Sequence, residues 1–364
     1  MFSYFYDILS DMKKKVFVGI SGGVDSSVAA YLLKQQGYDV IGVFMKNWSG
    51  EDFGVTDNCP WKEDQEMSKN ACKTLEIPFK TYNFEKEYRK EVIDDFYYQY
   101  SIGNTPNPDV LCNKYIKFDA FLKLALSQGA DLIATGHYSK TESGRLYKAR
   151  DKNKDQTYFL HQLNSEQLSK SLFPLSDLLK SEVRDIAKKI KLPNAKRKDS
   201  QGICFIGKVD IREFLKEKLK EKKGDIIDID TNEIVGTHSG VWFLTIGQRK
   251  GIGTSGNEIP YFVAKKDVRK NIVYVAKGHD NPKLFGRTIE IENAHKITKT
   301  GFPKDVDILI RYRGNYEKAE LKEDNNVVTL LFKTPVWAPA IGQSAVIFKE
   351  NECLGGGPIA KIVI

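Results

Sequence analysis

No run of this sequence approaches the roughly 18 consecutive apolar residues that a membrane-spanning helix requires. The two longest uncharged stretches, Ile234 to Gln248 and Thr334 to Phe348, are interrupted by Gly or Pro, so no membrane role is expected. Targeting patterns are missing as well. Met1 to Lys15 carries Asp7 and Asp11 but no apolar core region, and the first arginine is Arg89, which argues against secretory and organellar signals and makes the cytoplasm the expected location. Met12, followed by three lysines and the first apolar strand, looks like a natural start, so Met1 to Asp11 reads as a dispensable extension. Cysteine is scarce and unpatterned. Cys59, Cys72, Cys112, Cys204 and Cys353 form no C-x-x-C pair and have no histidine at zinc-finger spacing, so neither a disulfide framework nor a structural zinc site is indicated. In a reducing compartment these side chains are thiols.

What is present is length and positive charge. A chain of 364 residues, 41% hydrophobic and 29% charged, has material for two or three domains. Lys and Arg outnumber Asp and Glu by 56 to 48, with dense runs at Lys188 to Lys198 and Lys216 to Lys223. Such runs suit a polyanionic partner, although on a helix face they more often meet only water.

From Val16 to about Ile190, short apolar runs alternate with helical patterns, the mark of a doubly wound parallel α/β sheet. Strands are expected at Val16–Ile20, Val40–Met45, Phe79–Tyr82 and Leu132–Thr135, and helices at Ser26–Gln36, Asp64–Leu75, Glu87–Tyr100, Phe118–Gln128 and Ser181–Ile190. Beyond Gly202 the pattern changes to a Lys/Glu-rich helix at Asp210–Lys222 and short β-runs such as Val241–Leu244 and Ile272–Val275, which suggests a small α/β middle domain. After Asn281-Pro282 nearly everything is β-pattern, with turn signals at Arg313-Gly314-Asn315, Asn325-Asn326 and Gly355-Gly356-Gly357, as in a compact β-barrel. The expected domains are 12–206, 207–280 and 281–364.

Gly19, Ile20, Ser21, Gly22, Gly23, Val24, Asp25 and Ser26 lie between the first strand and the first helix, where ligands bind at the carboxyl edge of such a sheet. Glycines let backbone approach a phosphate, the helix start supplies unpaired N–H groups, and the serines add hydroxyl donors. Neither G-x-x-x-x-G-K-[ST] nor G-x-G-x-x-G after a strand occurs. Instead S-G-G-V-D-S resembles the PP-loop of ATP pyrophosphatases, which implies chemistry at the α-phosphate of ATP. Asp25 is the expected carboxylate for Mg²⁺ near the phosphates, because hard cations take oxygen ligands. Met45 and Gly136, at the ends of two further strands, are expected to flank the nucleotide, and neighbouring His137 is read as structural.

Cys112 lies in T-P-N-P-D-V-L-C-N, whose two prolines are expected to exclude regular helix and make a stiff, exposed loop. Asp109 stands three residues before it. Cys204 lies in D-S-Q-G-I-C-F-I, where the α/β pattern ends. Either cysteine alone would more often be a small buried hydrophobe than a nucleophile.

The phosphate loop together with P-N-P-D-V-L-C-N, A-T-G-H-Y, K-D-Q-T-Y-F-L, D-S-Q-G-I-C-F-I, T-I-G-Q-R-K-G-I-G and L-G-G-G-P-I resembles the tRNA-specific 2-thiouridylase family from Val16 to the C-terminus. That resemblance implies that the wobble uridine of an anticodon loop, in tRNA-Lys, tRNA-Glu and tRNA-Gln, enters a pocket floored by Asn107, Pro108 and Asp109. ATP over the loop adenylylates the 2-carbonyl oxygen. Cys204 then carries sulfur as a persulfide from a cysteine-desulfurase-derived donor or relay protein, Cys112 is the nucleophile, and Asp109 is the acid/base. Both sulfur-transfer routes end in a Cys112–Cys204 disulfide that must be reduced. The positions matching Lys154, Asp155, Gln156, Arg311 and Tyr312 touch tRNA in the family, and the alternation of Arg311, Tyr312 and Arg313 independently pairs charge with a stacking ring.

Three alternatives stand beside this reading. Asp109, Cys112 and Cys204 would instead hold an iron–sulfur cluster. A ligating relative of argininosuccinate or GMP synthetase would not need two cysteines in reactive loops. A silent tRNA-binding protein would be expected to lose the aspartate, serines or cysteines, all of which are present.

Overall fold

The computed structural model describes residues 13–49, 60–199, 202, 204, 210–254 and 259–363. The Met1–Asp11 extension, Cys59 and most of the Cys204 segment (200, 201, 203, 205 and 206) lie outside the described residues. The chain divides into two units, Met1–Arg89 with Cys112–Lys208, and Lys90–Leu111 with Val209–Ile364.

The first unit is built on a five-stranded parallel sheet in the order β3-β2-β1-β4-β7. Its strands are β1 (Lys15–Gly19), β2 (Asp39–Lys46), β3 (Phe79–Asn83), β4 (Leu132–Ala134) and β7 (Ser171–Leu172), with the hairpin β5 (Lys140–Glu142) and β6 (Arg145–Tyr147) between the last two. Val16, Phe17 and Val18 are 0% exposed, as expected for a central strand covered on both faces. Helices α1 (Val24–Gln35), α2 (Pro60–Thr74) and α5 (Lys180–Lys189) share one core with that strand, through Val28, Leu33, Ala71, Leu75, Val183 and Ala187. Helices α3 (Glu85–Tyr88) and α4 (Phe121–Ser127) complete the set used below. Strand order reverses at β1, so the crevice for a ligand opens between the ends of β1 and β4.

The expected Glu87–Tyr100 helix is composite, with α3 followed by a π-helical turn at Arg89–Ile93 and an α-helix at Asp94–Ser101. Its second half belongs to the other unit, because Phe96, Tyr97 and Tyr100 cluster with Phe214: Tyr97 and Phe214 stack at 5.3 Å, and the Tyr97 hydroxyl donates to the Phe214 carbonyl at 2.8 Å.

In the second unit, β8 (Gly224–Asp228), β9 (Ile234–His238), β10 (Tyr261–Asp267) and β11 (Ile272–Lys277) form a sheet in the order β10-β11-β8-β9 over Ile226, Val263, Val273 and Val275. Two local expectations fail here. The Lys/Glu-rich helix is shorter than its charge pattern, running Ile211–Lys216 under an Asp210 cap, because the Lys222 amide pairs with the Ser239 carbonyl instead. Val241–Phe243 is a 3₁₀ turn rather than a strand, closed by Phe243 N–H on the Gly240 carbonyl.

The remaining strands, β12 (Phe285–Glu292), β13 (His295–Lys296), β14 (Asp305–Leu309), β15 (Glu317–Asp324), β16 (Val327–Trp337), β17 (Ser344–Lys349) and β18 (Glu352–Val363), make the expected barrel, ordered β12-β16-β15-β14-β17-β18 and closed by β12 against β18. Gly355-Gly356-Gly357 is not a turn but part of β18. A side chain at Gly355 would meet the His295 carbonyl oxygen at 2.0 Å, and one at Gly356 the Ala345 oxygen at 2.2 Å. Among the described residues no helix is long and apolar enough to cross a membrane.

Candidate active site

The loop after β1 turns through Gly22, whose φ of +75° suits glycine, and enters α1 at Gly23. Gly23 has no side chain to cap the helix, so the first N–H groups of α1 are left without a side-chain acceptor from the cap. That is the local chemistry of an anion site. The loop's shape is held from within: the Ser26 and Ser27 hydroxyls donate to the Gly23 carbonyl at 3.2 and 3.1 Å, and the Ser21 amide donates to Ser26 Oγ at 3.2 Å.

Met45 and Gly136 both reach this loop. A Cβ at Gly19 would lie 2.9 Å from Met45 Cε, and a Cβ at Gly136 would lie 2.6 Å from the Ser26 amide nitrogen. Only glycine at 136 lets the end of β4 pack on the first turn of α1. His137 is buried, its Nδ1 2.7 Å from the Thr135 hydroxyl, and burial, then the Lys117 ammonium, hold its pKa well below the usual range. It is a neutral packing histidine.

Several partners of the loop come from the far end of the domain and carry no motif. Asn194 Nδ2 donates to the carbonyls of Gly22 and Gly23 at 3.0 and 3.1 Å and to Ser27 Oγ at 2.9 Å. Arg197 donates to the Gly22 carbonyl at 3.2 Å and pairs with Asp64. Within the Lys188–Lys198 run, Lys196 and Lys198 are exposed while Arg197 turns inward, so that run is partly internal scaffold. Asp25 is held by Lys180, whose Nζ lies 2.6 and 2.7 Å from its two oxygens, and by the Tyr138 hydroxyl at 3.0 Å. Burial, and next the Asp25 charge, push the Tyr138 phenol far above its ordinary pKa.

Lys180 also contacts Asp199 at 2.8 Å, where Lys154 and Arg184 converge at 2.6 Å each. Burial alone would raise the Asp199 carboxyl, but the Lys154 and Lys180 ammoniums outweigh it and hold the group far below the usual carboxylate range. Gln156 Oε1 accepts the Tyr138 amide at 3.1 Å, and Asp155 is turned into its own loop, accepting from Ala149 N–H at 2.5 Å and from the Thr157 hydroxyl at 3.0 Å. Lys154, Asp155 and Gln156 are thus wired to the loop's surroundings, and Asp155 has a structural duty of its own.

Cys112 is not on an exposed loop. It is 0% exposed and opens a π-helical segment, Cys112–Ala120, and Pro108–Leu111 before it forms a helical turn. Pro108 stands at the first helical position, where its missing N–H costs nothing, and the Val110 amide bonds back to the Asn107 carbonyl at 3.2 Å. Asn113, beside Cys112, donates to the Phe159 carbonyl at 3.1 Å. The Cys112 segment packs on α3, and the last residue of α3, fully buried Tyr88, donates its hydroxyl to the carbonyl of half-buried Cys204 at 2.6 Å. The same segment runs into Phe121, whose Cε1 would be 3.9 Å from a Cβ at Gly19. Both cysteine-bearing stretches therefore border one short helix, and the Cys112 stretch leads to the end of β1. By contrast Cys72 is a packing thiol, pushed up to about 12 by burial.

In the second unit, Thr105 is tied to the barrel by its amide on the Ile341 carbonyl at 2.9 Å and by Gln343 Nε2 on its carbonyl at 3.2 Å. Arg311 pairs with the Ala338 carbonyl and lies 5.1 Å from the Trp337 ring, and Arg313 lies 5.2 Å over the Tyr312 ring. Among the described residues no three His, Cys, Asp or Glu side chains are gathered as metal ligands.

Fold and loop together define the class: an α/β nucleotide-binding domain of the HUP type followed by two β-rich domains. Family models match as a tRNA methyl transferase HUP domain over residues 14–208, a tRNA methyl transferase PRC-barrel domain over 212–277 and an aminomethyltransferase beta-barrel domain over 287–359. The curated relatives include proteins named tRNA-specific 2-thiouridylase MnmA from Bacillus licheniformis, 47% identical over 96% of this chain and 95% of that protein, and from Enterococcus faecalis, 45% identical over 96% of each. A third, from Mycoplasma capricolum, is 46% identical over 97% of this chain and 100% of its own length. The chain belongs to the tRNA-specific 2-thiouridylase family.

Proposed function

We propose that this protein acts in the cytoplasm as a tRNA-uridine 2-sulfurtransferase, converting the wobble uridine of anticodon loops to 2-thiouridine at the expense of ATP. The observation that carries the reading is the convergence, within one domain, of a phosphate-binding loop and two cysteine segments bordering α3. The family-model descriptions name methyl transfer and the relatives name thiolation. Methyl transfer needs neither an ATP-splitting loop nor a second cysteine, so the residues favour thiolation.

The chemical need is clear. A uracil carbonyl oxygen is a poor leaving group, and attack of O2 on the α-phosphorus of ATP, with departure of pyrophosphate, converts it into a good one. The loop's N–H groups and α1 dipole would hold the phosphates, with Met45 and Gly136 flanking the nucleotide. A magnesium ion bound with the phosphates would supply further charge neutralisation, and the Asp25 carboxylate offers it the oxygen ligand it prefers.

Sulfur arrives as a persulfide on Cys204, supplied by a cysteine-desulfurase-derived donor. In one route the Cys112 thiolate attacks the inner Cys204 sulfur, forming a Cys112–Cys204 disulfide and expelling hydrosulfide, which adds at C2 and displaces AMP. In the other, the outer persulfide sulfur displaces AMP, and Cys112 then cleaves the S–S bond and leaves the sulfur on the base. Either route ends in a disulfide that a thiol reductant restores. Asp109 exchanges protons with the activated ring, and Asn107 and Pro108 shape the base pocket. Lys154, Asp155, Gln156, Arg311 and Tyr312 contact RNA, with Arg311 and Tyr312 offering charge and a stacking face. Asp155 shapes the loop that presents its neighbours.

The test incubates the protein with ATP, Mg²⁺, a cysteine desulfurase with cysteine as the persulfide source, a thiol reductant and unmodified tRNA-Lys, tRNA-Glu or tRNA-Gln, and follows 2-thiouridine and AMP. Cys112→Ser and Cys204→Ser should each abolish persulfide-dependent product. Normal thiolation by either variant would remove the roles assigned, and wild-type protein that makes no AMP would remove the function.

A further inference from the structure

The PP-loop contains no cation of its own, which raises the question of what meets the charge of a triphosphate. Between Gly19 and Ser27 there is no Lys or Arg, and the α1 N-terminus contributes only about half a positive charge. Among the described residues, two cations from distant segments reach this region. Arg197 is committed to the Gly22 carbonyl and to Asp64, contacts that shape the outside of the turn. Lys180 is differently placed. Its ammonium grips Asp25, in the first turn of α1, at 2.6 and 2.7 Å, and its side chain is only 14% exposed. Its root is fixed where α5 begins, by the Lys180 amide on Asp151 Oδ2 at 2.9 Å. Around it, the charged ends of Lys154, Lys180 and Arg184 pair with Asp25 and Asp199, while the Asp151 carboxylate holds the backbone at the root of Lys180.

We propose that Lys180 is a polyphosphate-binding residue of the nucleotide site, held in reserve by Asp25 and Asp199 and transferred to the phosphates of ATP when these arrive. The inference rests on the ATP-dependent reading above and assigns to that site a cation its motif lacks. The exchange is balanced in charge. As Asp25 turns to the magnesium that accompanies the nucleotide, it releases Lys180, and the freed ammonium replaces a carboxylate partner with a phosphate one. Asp199 remains neutralised by Lys154 and Arg184, so the transfer leaves no bare carboxylate.

The experiment measures binding of inorganic pyrophosphate and of Mg·ATP by calorimetry, together with tRNA affinity and thermal unfolding, on the full chain. The proteins are wild type, Lys180→Gln, Lys180→Arg, Asp25→Asn and Asp25→Asn/Lys180→Gln. Lys180→Gln should weaken pyrophosphate and Mg·ATP binding by roughly tenfold or more, the usual scale for one charge-assisted contact. Lys180→Arg should retain most of the affinity, and tRNA binding should be unchanged. The double variant separates contact from positioning: a lysine that touches phosphate weakens pyrophosphate binding again in the Asp25→Asn background, whereas one acting only through Asp25 does not. Unaltered affinity in Lys180→Gln, or no further loss in the double variant, overturns the inference. If Lys180→Gln unfolds early, the Lys180→Arg comparison decides, and an Arg variant with no affinity for pyrophosphate despite a wild-type melting curve also counts against it, since the charge is conserved. A wild-type protein that binds no ATP would instead overturn the functional reading on which this one stands.

Discussion

The hydroxyl of Tyr88 donates a 2.6 Å hydrogen bond to the carbonyl of Cys204, 116 residues further along the chain. Tyr88 is itself fully buried and closes the short helix on which the Cys112 segment packs. One phenol thus fixes the backbone of Cys204, the proposed sulfur carrier, beside the element that borders the Cys112 segment. Tyr88→Phe keeps the ring and removes only this donor. It should lower single-turnover sulfur transfer by roughly tenfold, the cost of one lost hydrogen bond that positions a reacting group, while leaving the dissociation constant for ATP unchanged. Equal loss of ATP affinity would point to a general structural role.

Cys112 is completely buried and Cys204 only half so. Thiol reactivity requires access as well as thiolate, so iodoacetamide should label Cys204 well before Cys112 and leave Cys72 intact. Adding unmodified tRNA should accelerate labelling of Cys112, because a nucleophile acting on the base must be uncovered when RNA binds. Peptide mass spectrometry over a time course reads each site, and a Cys112 rate unaffected by tRNA contradicts the prediction.

Asn194 is 1% exposed and its amide serves two carbonyls of the phosphate loop and the Ser27 hydroxyl at once. Asn194→Ala strands buried acceptors, which costs about 1–3 kcal/mol. The expected result is a denaturation midpoint shifted down without a change of slope, and an increased KM for ATP because the loop is no longer held in shape.

Acid should weaken the first unit in two stages. The depressed pKa of His137, caused chiefly by burial, means that its contribution is complete above the unfolded value of about 6.5 and is lost as pH falls from there toward the folded pKa. Asp199, held far down by Lys154 and Lys180 against its own burial, contributes fully above about pH 3.9 and loses that contribution as pH falls further. Urea midpoints measured across pH should show a shallower fall below pH ~6.5 for His137→Gln, and Asp199→Asn should lower stability at neutral pH while flattening the most acidic limb.

Binding of tRNA should fall steeply with salt if Lys154 and Arg311 meet phosphates, since each neutralised phosphate releases counterions. A flat dependence in filter binding would remove the electrostatic part of the RNA interface.

The parallel sheet, its glycine-serine loop and the barrel were legible in the sequence because each is written locally: β-branched runs such as Val16–Val18 for a buried strand, S-G-G-V-D-S for the turn, and alternation with turn residues for the barrel. The Cys112 segment reads from sequence as an exposed loop because its two prolines disfavour helix, yet Cys112 is buried and the segment is helical from Pro108 on. Pro108 falls at the one helical position that needs no N–H, and that depends on where the turn begins rather than on composition. Likewise Gly355–Gly357 reads as a turn from sequence and is strand, because neighbouring backbone comes too close for side chains there.

By itself, then, the sequence determined the strand-loop-helix phosphate motif and the β-barrel, both properties of neighbouring residues and their periodicity, while the sulfur chemistry proposed for Cys112 and Cys204 rests on the resemblance of the motifs around them. Only the tertiary structure decided that Lys180, Asn194 and Arg197 serve the loop and that Tyr88 holds Cys204, since these pairings join positions between 116 and 175 residues apart. Nothing local marks such partners: a lysine at a helix start or a tyrosine at a helix end has many possible uses, and only packing selects among them.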